Sequence, residues 1–81
     1  MKARFSDGFV PEQNKSARAM VASELKAARL SKKMTQQDLA DMTGTQKSNI
    51  SRMESGSYNP SLDFLVKVAA SLDRKLKVTL E

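Results

Sequence analysis

Residues 35–54 read TQQDLADMTGTQKSNISRME, and the way this stretch divides decides the fold. Thr35 followed three residues later by Asp38 has the spacing of a capping box, in which a hydroxyl and a carboxylate satisfy free N–H groups where a helix begins. A short helix then runs through Leu39, Ala40 and Met42 to Thr43, and Gly44, free to take a left-handed backbone, ends it. Thr45 is an N-cap residue type, opening a second short helix from about residue 46 to Ser55, where Gly56 stops it. Only Ile50 and Met53 of that second helix suit a core. The rest is Gln46, Lys47, Ser48, Asn49, Ser51 and Arg52, and so polar a face needs a reason.

Upstream, residues 16–32 hold no Gly or Pro, and Ala17, Val21, Leu25 and Ala28 recur at three- and four-residue steps, drawing one apolar stripe along a long helix. Lys32 and Lys33 suit its C-terminal end, where the helix dipole is negative. Downstream, after the loop GSYNP, Ser61 caps a further helix in which Leu62, Leu65, Val68, Ala69 and Leu72 keep the helical period, with Asp73 at its end. The closing KLKVTLE changes period: Leu76, Val78 and Leu80 alternate with Lys77, Thr79 and Glu81, a strand signal. Nothing else in the chain resembles a strand, so its ladder partner is either the same segment of a second copy or another protein. Residues 1–14 show no period and read as a flexible arm. Phe5, Phe9 and Val10 stand out there, either docking on something or simply exposed. The expected organisation is an arm over 1–14, a helical domain over 15–73 and a pairing strand over 74–81.

The composition narrows the function. Eighty-one residues support one small core and no second domain. Fourteen Lys plus Arg against nine Asp plus Glu leave a net charge of +5, which favours a polyanionic partner if the positive charge is clustered. The absence of Cys and His removes disulfides, thiolate chemistry, zinc sites and imidazole catalysis, so neither metal nor cofactor is expected. Charges and Pro interrupt every apolar run of the first 25 residues, and no stretch is long enough to span a bilayer, so a soluble, cytoplasmic protein is expected. Ser23 and Lys26 spell S-x-x-K, but mid-helix and without a second motif this is chance, and no enzyme is expected. The glycosylation spellings at Asn14 and Asn49 have no secretory signal to act with.

Turning the helix over residues 46–55 by 100° per residue places Ile50 and Met53 inward and Ser48, Ser51, Arg52 and Ser55 outward, with Lys47 on the flank. Taken alone, such a face is more often a solvated surface. Its small residues also let a helix enter a major groove, where Lys47 and Arg52 can donate to guanine O6 and N7, and Asn49 or Gln46 can reach phosphate or adenine edges. Two short helices joined by a Gly turn form the helix-turn-helix unit, whose second helix reads bases while the first crosses the backbone. Gln36 and Gln37 stand at the N-terminus of that first helix, where free N–H groups suit a phosphate.

Residues 21–72 resemble the phage-repressor and Cro-like helix-turn-helix proteins, the XRE family: the T-Q-x-x-L-A opening, the I-S-R-x-E close of the reading helix, and the N-P-S-L that starts the next helix all match. The resemblance implies an all-α, lambda-repressor-like helix-turn-helix bundle of four to five helices, here with a C-terminal β-strand that pairs between subunits. It implies that Gln36 meets phosphate or an outer base, that Lys47, Ser48 and Arg52 meet base edges, that Gln46 and Asn49 meet phosphate, and that Tyr58 lies near the DNA backbone. Arg29 and Glu54 match the family's structural ion pair between its first and third helices. Two features depart from the pattern. Thr45 stands where a buried Val or Ile is usual, and KLKVTLE replaces the fifth helix. That ending resembles the short antitoxins of the HigA type, which repress their own operon and bind a ribosome-dependent RNase toxin.

Two readings follow. One is a homodimeric repressor of palindromic operator DNA that is also the antitoxin of an RNase-type toxin, with Leu76, Val78 and Leu80 in the dimer interface. The other is a plain phage or host transcriptional regulator without a toxin. The arm with Phe5 and Phe9 separates them, as does the presence of a neighbouring gene for a small basic RNase-like protein.

Overall fold

The computed structural model describes residues 12–56 and 59–80, with side chains described from residue 17 on. Four helices follow one another: α1 (Glu12–Ser31), α2 (Gln36–Thr43), α3 (Lys47–Ser55) and α4 (Leu62–Ser71). The described part of the chain is all helix and connecting segment. α2 packs against both α3 and α4, and α1 packs against α3.

α1 begins at Glu12, earlier than the apolar stripe suggests. Pro11 directly before it and Glu12 in its first turn are residue types that favour a helix start, a signal that periodicity alone does not register. The arm expected over residues 1–14 therefore falls partly within a helix, and Phe5, Phe9 and Val10 lie outside the described residues. The inward stripe of α1 is also rotated from the expected one. Ala22, Leu25, Ala28 and Arg29 are buried and Val21 is half-buried, whereas Ala17 is exposed.

The capping box of α2 is complete. Asp38 N–H donates to Thr35 Oγ1 at 3.0 Å and Thr35 N–H donates to the Asp38 carboxylate at 2.9 Å. The bond from Thr35 N–H favours the ionised carboxylate and, with a smaller contribution from the Thr35 hydroxyl, holds Asp38 below the usual carboxylate range. At the other end Thr43 is buried but satisfied, its hydroxyl donating to Leu39 O at 2.8 Å. Gly44 follows in the left-handed region with φ 69°, and Met42 remains 58% exposed.

Ser61 caps α4, its Oγ accepting from Phe64 N–H at 3.1 Å. Val68, Ala69 and Leu72 of α4 are buried and Leu65 is half-buried, but Leu62, expected in the stripe, is 58% exposed. As the first residue of α4 it precedes the turn that meets the core. The helix ends at Ser71, with Leu72 at the C-cap and Asp73 left-handed at φ 57°. Lys33 has the same φ after α1, so both helices close on a non-glycine residue in the conformation usually left to Gly.

The core gathers Leu25, Leu39, Ile50, Met53, Val68 and Leu72 around Ala28, Ala40 and Ala69. Leu39, Ile50, Val68 and Leu72 are fully buried, and each such side chain contributes about 1.5 to 3 kcal/mol. All four helices supply at least one member, so no helix closes the core alone. Residues 74–80 form neither helix nor strand in the single chain. Leu76 packs half-buried on the core, while Val78 and Leu80 are 68% and 94% exposed. The expected alternation therefore sends one apolar residue inward and leaves two uncovered.

Candidate nucleic-acid interface

The turn between α2 and α3 is set by backbone bonds. Gly44 N–H reaches Asp41 O at 3.3 Å and Thr45 N–H reaches Ala40 O at 2.9 Å, which folds the chain back over the last turn of α2. α3 then starts from Gln46 as N-cap, not from Thr45, and no side chain caps it. The Thr45 hydroxyl is engaged elsewhere: it accepts from Asn49 Nδ2 at 2.8 Å. The four-residue spacing of Thr45 and Asn49 was open to view, but an N-cap accepts from the backbone, and here a side-chain amide takes its place. The first N–H groups of α3 are thus left to solvent or to a ligand.

Ile50 and Met53, 0% and 2% exposed, fasten α3 to the core. Their opposite face turns Lys47, Ser48, Ser51, Arg52 and Ser55 to solvent, all within an arc of about 140° at 100° per residue. Lys47 and Arg52 are the basic residues of this helix. Its acid, Glu54, falls about 20° outside this arc beside Lys47, but its carboxylate is turned into a buried ion pair, so the outward arc carries cations and hydroxyls with no carboxylate.

Arg29 and Glu54 meet in a two-pronged contact, with Nε to Oε2 at 2.7 Å and Nη2 to Oε1 at 3.0 Å. Their side chains are only 8% and 3% exposed. Arg29 Nη1 also donates to Met34 O at 2.6 Å, tying the α1–α2 connection to the same group. A fourth member was not read from the sequence: Gln36 Nε2 donates to Glu54 Oε1 at 3.1 Å. Gln36 and Glu54 stand eighteen residues apart, a separation that no local pattern relates.

The expected site residues therefore divide into three groups. Lys47, Ser48 and Arg52 share the exposed face of α3, with Gln46 exposed at its start. Gln36 and Asn49 are half-buried, each with its amide nitrogen already donating inside the protein. Tyr58 lies outside the described residues. Among the described residues no helix is long and apolar enough to cross a membrane, and no group of three or more His, Cys, Asp or Glu could hold a metal ion.

A helix-turn-helix family model, HTH_3, matches residues 25–78. The chain is 39% identical over 56 residues to the uncharacterised HTH-type transcriptional regulator y4dL of Sinorhizobium fredii, an overlap of 69% of this chain and 29% of that protein. In three dimensions it is similar to an HTH_3 family transcriptional regulator from Vibrio cholerae, with TM-score 0.70 and 26% identity over 75% of this chain and 34% of that one. It is also similar to a chain of a toxin-antitoxin module from Streptococcus pneumoniae, with TM-score 0.68 and 36% identity over 93% of this chain and 85% of that one. The chain thus spans about a third of the two regulators, and most of the chain from the toxin-antitoxin module.

Proposed function

The chain belongs to the HTH_3 helix-turn-helix family of transcriptional regulators, and on that footing we propose that it is a sequence-specific, homodimeric DNA-binding repressor acting in the cytoplasm as the antitoxin of a type II toxin-antitoxin pair that autoregulates its operon. The observation that carries the DNA-binding part is the outward face of α3. It is slim, hydroxyl-rich and free of carboxylates, and it is held rigidly by Ile50, Met53 and Glu54. Lys47 and Arg52 reach base edges in the major groove with Ser48 between them, and Gln46 at the start of α3 meets a phosphate. The amides of Gln36 and Asn49 each keep a second N–H for a phosphate beyond the internal bond they make. Tyr58 approaches the DNA backbone from the following loop. Supporting the antitoxin role is the likeness, nearly full-length on both sides, to a chain of the Streptococcus toxin-antitoxin module.

The homodimer forms through the C-terminal segment. An antiparallel pair centred on Val78 sets Leu76 against Leu80 and Lys75 against Glu81, so both the apolar and the charged positions are complementary. It also covers Val78 and Leu80, which the single chain leaves in water. A two-fold dimer presents its two reading helices about 10 base pairs apart, on one side of a palindromic operator.

The other reading, a regulator without a toxin, is favoured by the names of the Sinorhizobium and Vibrio relatives, both transcriptional regulators. Expressing the adjacent reading frame with and without this chain separates the two. Growth arrest relieved by co-expression supports the antitoxin, while a neighbour that is harmless alone leaves the plain regulator. Selection of duplexes from a random pool tests the DNA-binding part itself, and the absence of any enriched palindrome would remove it.

A further inference from the structure

Most of the excess positive charge lies away from the reading helix. The C-termini of α1 and α4 are joined by Lys32 Nζ to Asp73 Oδ2 at 2.6 Å, and just beyond them follow Lys33, Arg74, Lys75 and Lys77, all exposed. Cations at helix C-termini complement the dipole, which accounts for Lys33 and Arg74. It does not account for Lys75 and Lys77, since the dipole's influence fades within a turn of the helix end.

Beside these cations lies a groove of about 490 Å³ between α1 and the segment after α4. Its apolar floor is Leu25, Ala28, Ala69 and Leu76, and Arg74 and Lys75 form one rim. Ala27, Ala28 and Ser31 of α1 and Ala69 of α4 are all among its lining residues, four small side chains that leave room in the groove. Glu24 is the acid among the lining residues, against the two cations Arg74 and Lys75.

We propose that this groove docks an acidic segment of a partner protein, with one or two apolar side chains on the floor and carboxylates on Arg74 and Lys75. Charge decides between possible occupants. The C-terminal segment of a second copy brings Arg74, Lys75 and Lys77 against the single acid Glu81, so what reaches the groove beyond the Lys75 and Glu81 pair is of the same sign as the rim. A DNA duplex supplies negative charge but is too wide for the groove and has no apolar group to place on the floor. An acidic peptide with apolar anchors satisfies both the floor and the rim, and its encounter is steered by the neighbouring lysines. The inference stands apart from the reading of bases, since it uses none of the residues on the outward face of α3, but it shares Lys75 and Leu76 with the proposed dimer segment, so each variant is also sedimented to separate loss of the peptide from loss of the dimer.

The test is selection of random dodecamer peptides displayed on phage against the full chain, with counter-selection against Ala27→Trp. Ala27 lines the groove yet is exposed, so the indole fills the groove without entering the core. Ser31→Trp is a second blocking variant should the first fail to fold by circular dichroism. Enriched peptides are expected to combine Asp or Glu with Leu or Phe. Their anisotropy-measured affinity should fall about tenfold or more in the blocking variants and in the double variant Arg74→Glu, Lys75→Glu, and it should weaken as salt rises. Three outcomes overturn the proposal. In one, no peptide is enriched whose binding depends on the groove. In another, a short labelled duplex of mixed sequence loses affinity through charge reversal but not through Ala27→Trp, which assigns the cations to nucleic acid. In the third, Ala27→Trp converts a sedimenting dimer to monomer, which gives the groove to a second copy.

Discussion

Glu54→Gln is nearly isosteric, so it tests the charge of Glu54 without opening a cavity. The carboxylate accepts from Arg29 Nε at 2.7 Å, from Arg29 Nη2 at 3.0 Å and from Gln36 Nε2 at 3.1 Å. A carboxamide has one oxygen to offer, and its NH2 must face at least one of these donors. Arg29 is then a cation with an 8% exposed side chain and no counter-charge in contact, held by the bond to Met34 O. Breaking one partner of a buried pair costs about 3 to 5 kcal/mol, and the surviving Met34 bond argues for the lower end, about 3 kcal/mol. In a domain of this size, each kcal/mol lowers Tm by about 4 to 8 °C, so a drop of roughly 12 to 24 °C is expected. Thermal melts by circular dichroism and urea titration at neutral pH measure it. A drop of less than about 3 °C, the range of a surface ion pair, would refute the reasoning. The double variant Arg29→Met, Glu54→Leu supplies the complementary check. Removing both charges together leaves no orphan, so it should melt above either single variant.

Two substitutions probe the left-handed residues. Lys33→Gly should stabilise by up to about 1 kcal/mol, since Gly takes φ 57° without steric penalty. Gly44→Ala should destabilise by about 1 kcal/mol through backbone conformation alone, because an added Cβ meets nothing within 4 Å. Both are read from urea midpoints. Asp73 is held below the usual carboxylate range by its hydrogen bond and attraction to Lys32, so its contribution is present above the unfolded carboxylate pKa and fades as pH falls through the lower folded value. Asp73→Asn should thus melt slightly below wild type at neutral pH, and the gap should close below about pH 4. On a panel of single-base operator variants, Arg52→Ala and Lys47→Ala should each cost about 1 to 3 kcal/mol on the preferred site and relax discrimination at one position. Gln36→Ala should weaken all variants alike and barely move the salt slope. Equal loss across all operators for Arg52→Ala would make Arg52 a phosphate clamp.

What could be read from the chain is what rests on local chemistry. Thr35 with Asp38, Gly44, Gly56 and Ser61 are punctuation whose effect stays within one turn of helix, and each acts where its residue type predicts. Ile50 and Met53 could be placed because a nine-residue helix with two apolar residues has only one way to face a core. The misplacements have tertiary causes. Leu62 and Ala17 keep the helical period of their neighbours, but each lies near a helix end that the core does not reach, and periodicity reports an angle rather than a depth. Thr45 has the chemistry of an N-cap, yet Asn49 occupies its hydroxyl. The Gln36 bond to Glu54 depends on how the start of α2 meets the end of α3, which is settled only when the whole bundle closes.

That closure bears directly on the outward face of α3. A helix of nine residues is not stable alone in water, and this one has no side-chain N-cap and only two apolar anchors. Polar residues on its other face therefore contribute little to holding it, and its orientation depends on Ile50, Met53 and the Glu54 group. Glu54 joins three elements at one point: α1 through Arg29, the connection to α2 through Arg29 and Met34, and the start of α2 through Gln36. Both helices of the turn are thus braced from behind by the same carboxylate. A fault there is expected to loosen α2 and α3 relative to each other before it unfolds the chain. The expected order of failure on weakening Glu54 is therefore loss of fit to the duplex first and loss of the fold second, and Glu54→Gln assayed well below its melting temperature should already bind the operator more weakly than wild type.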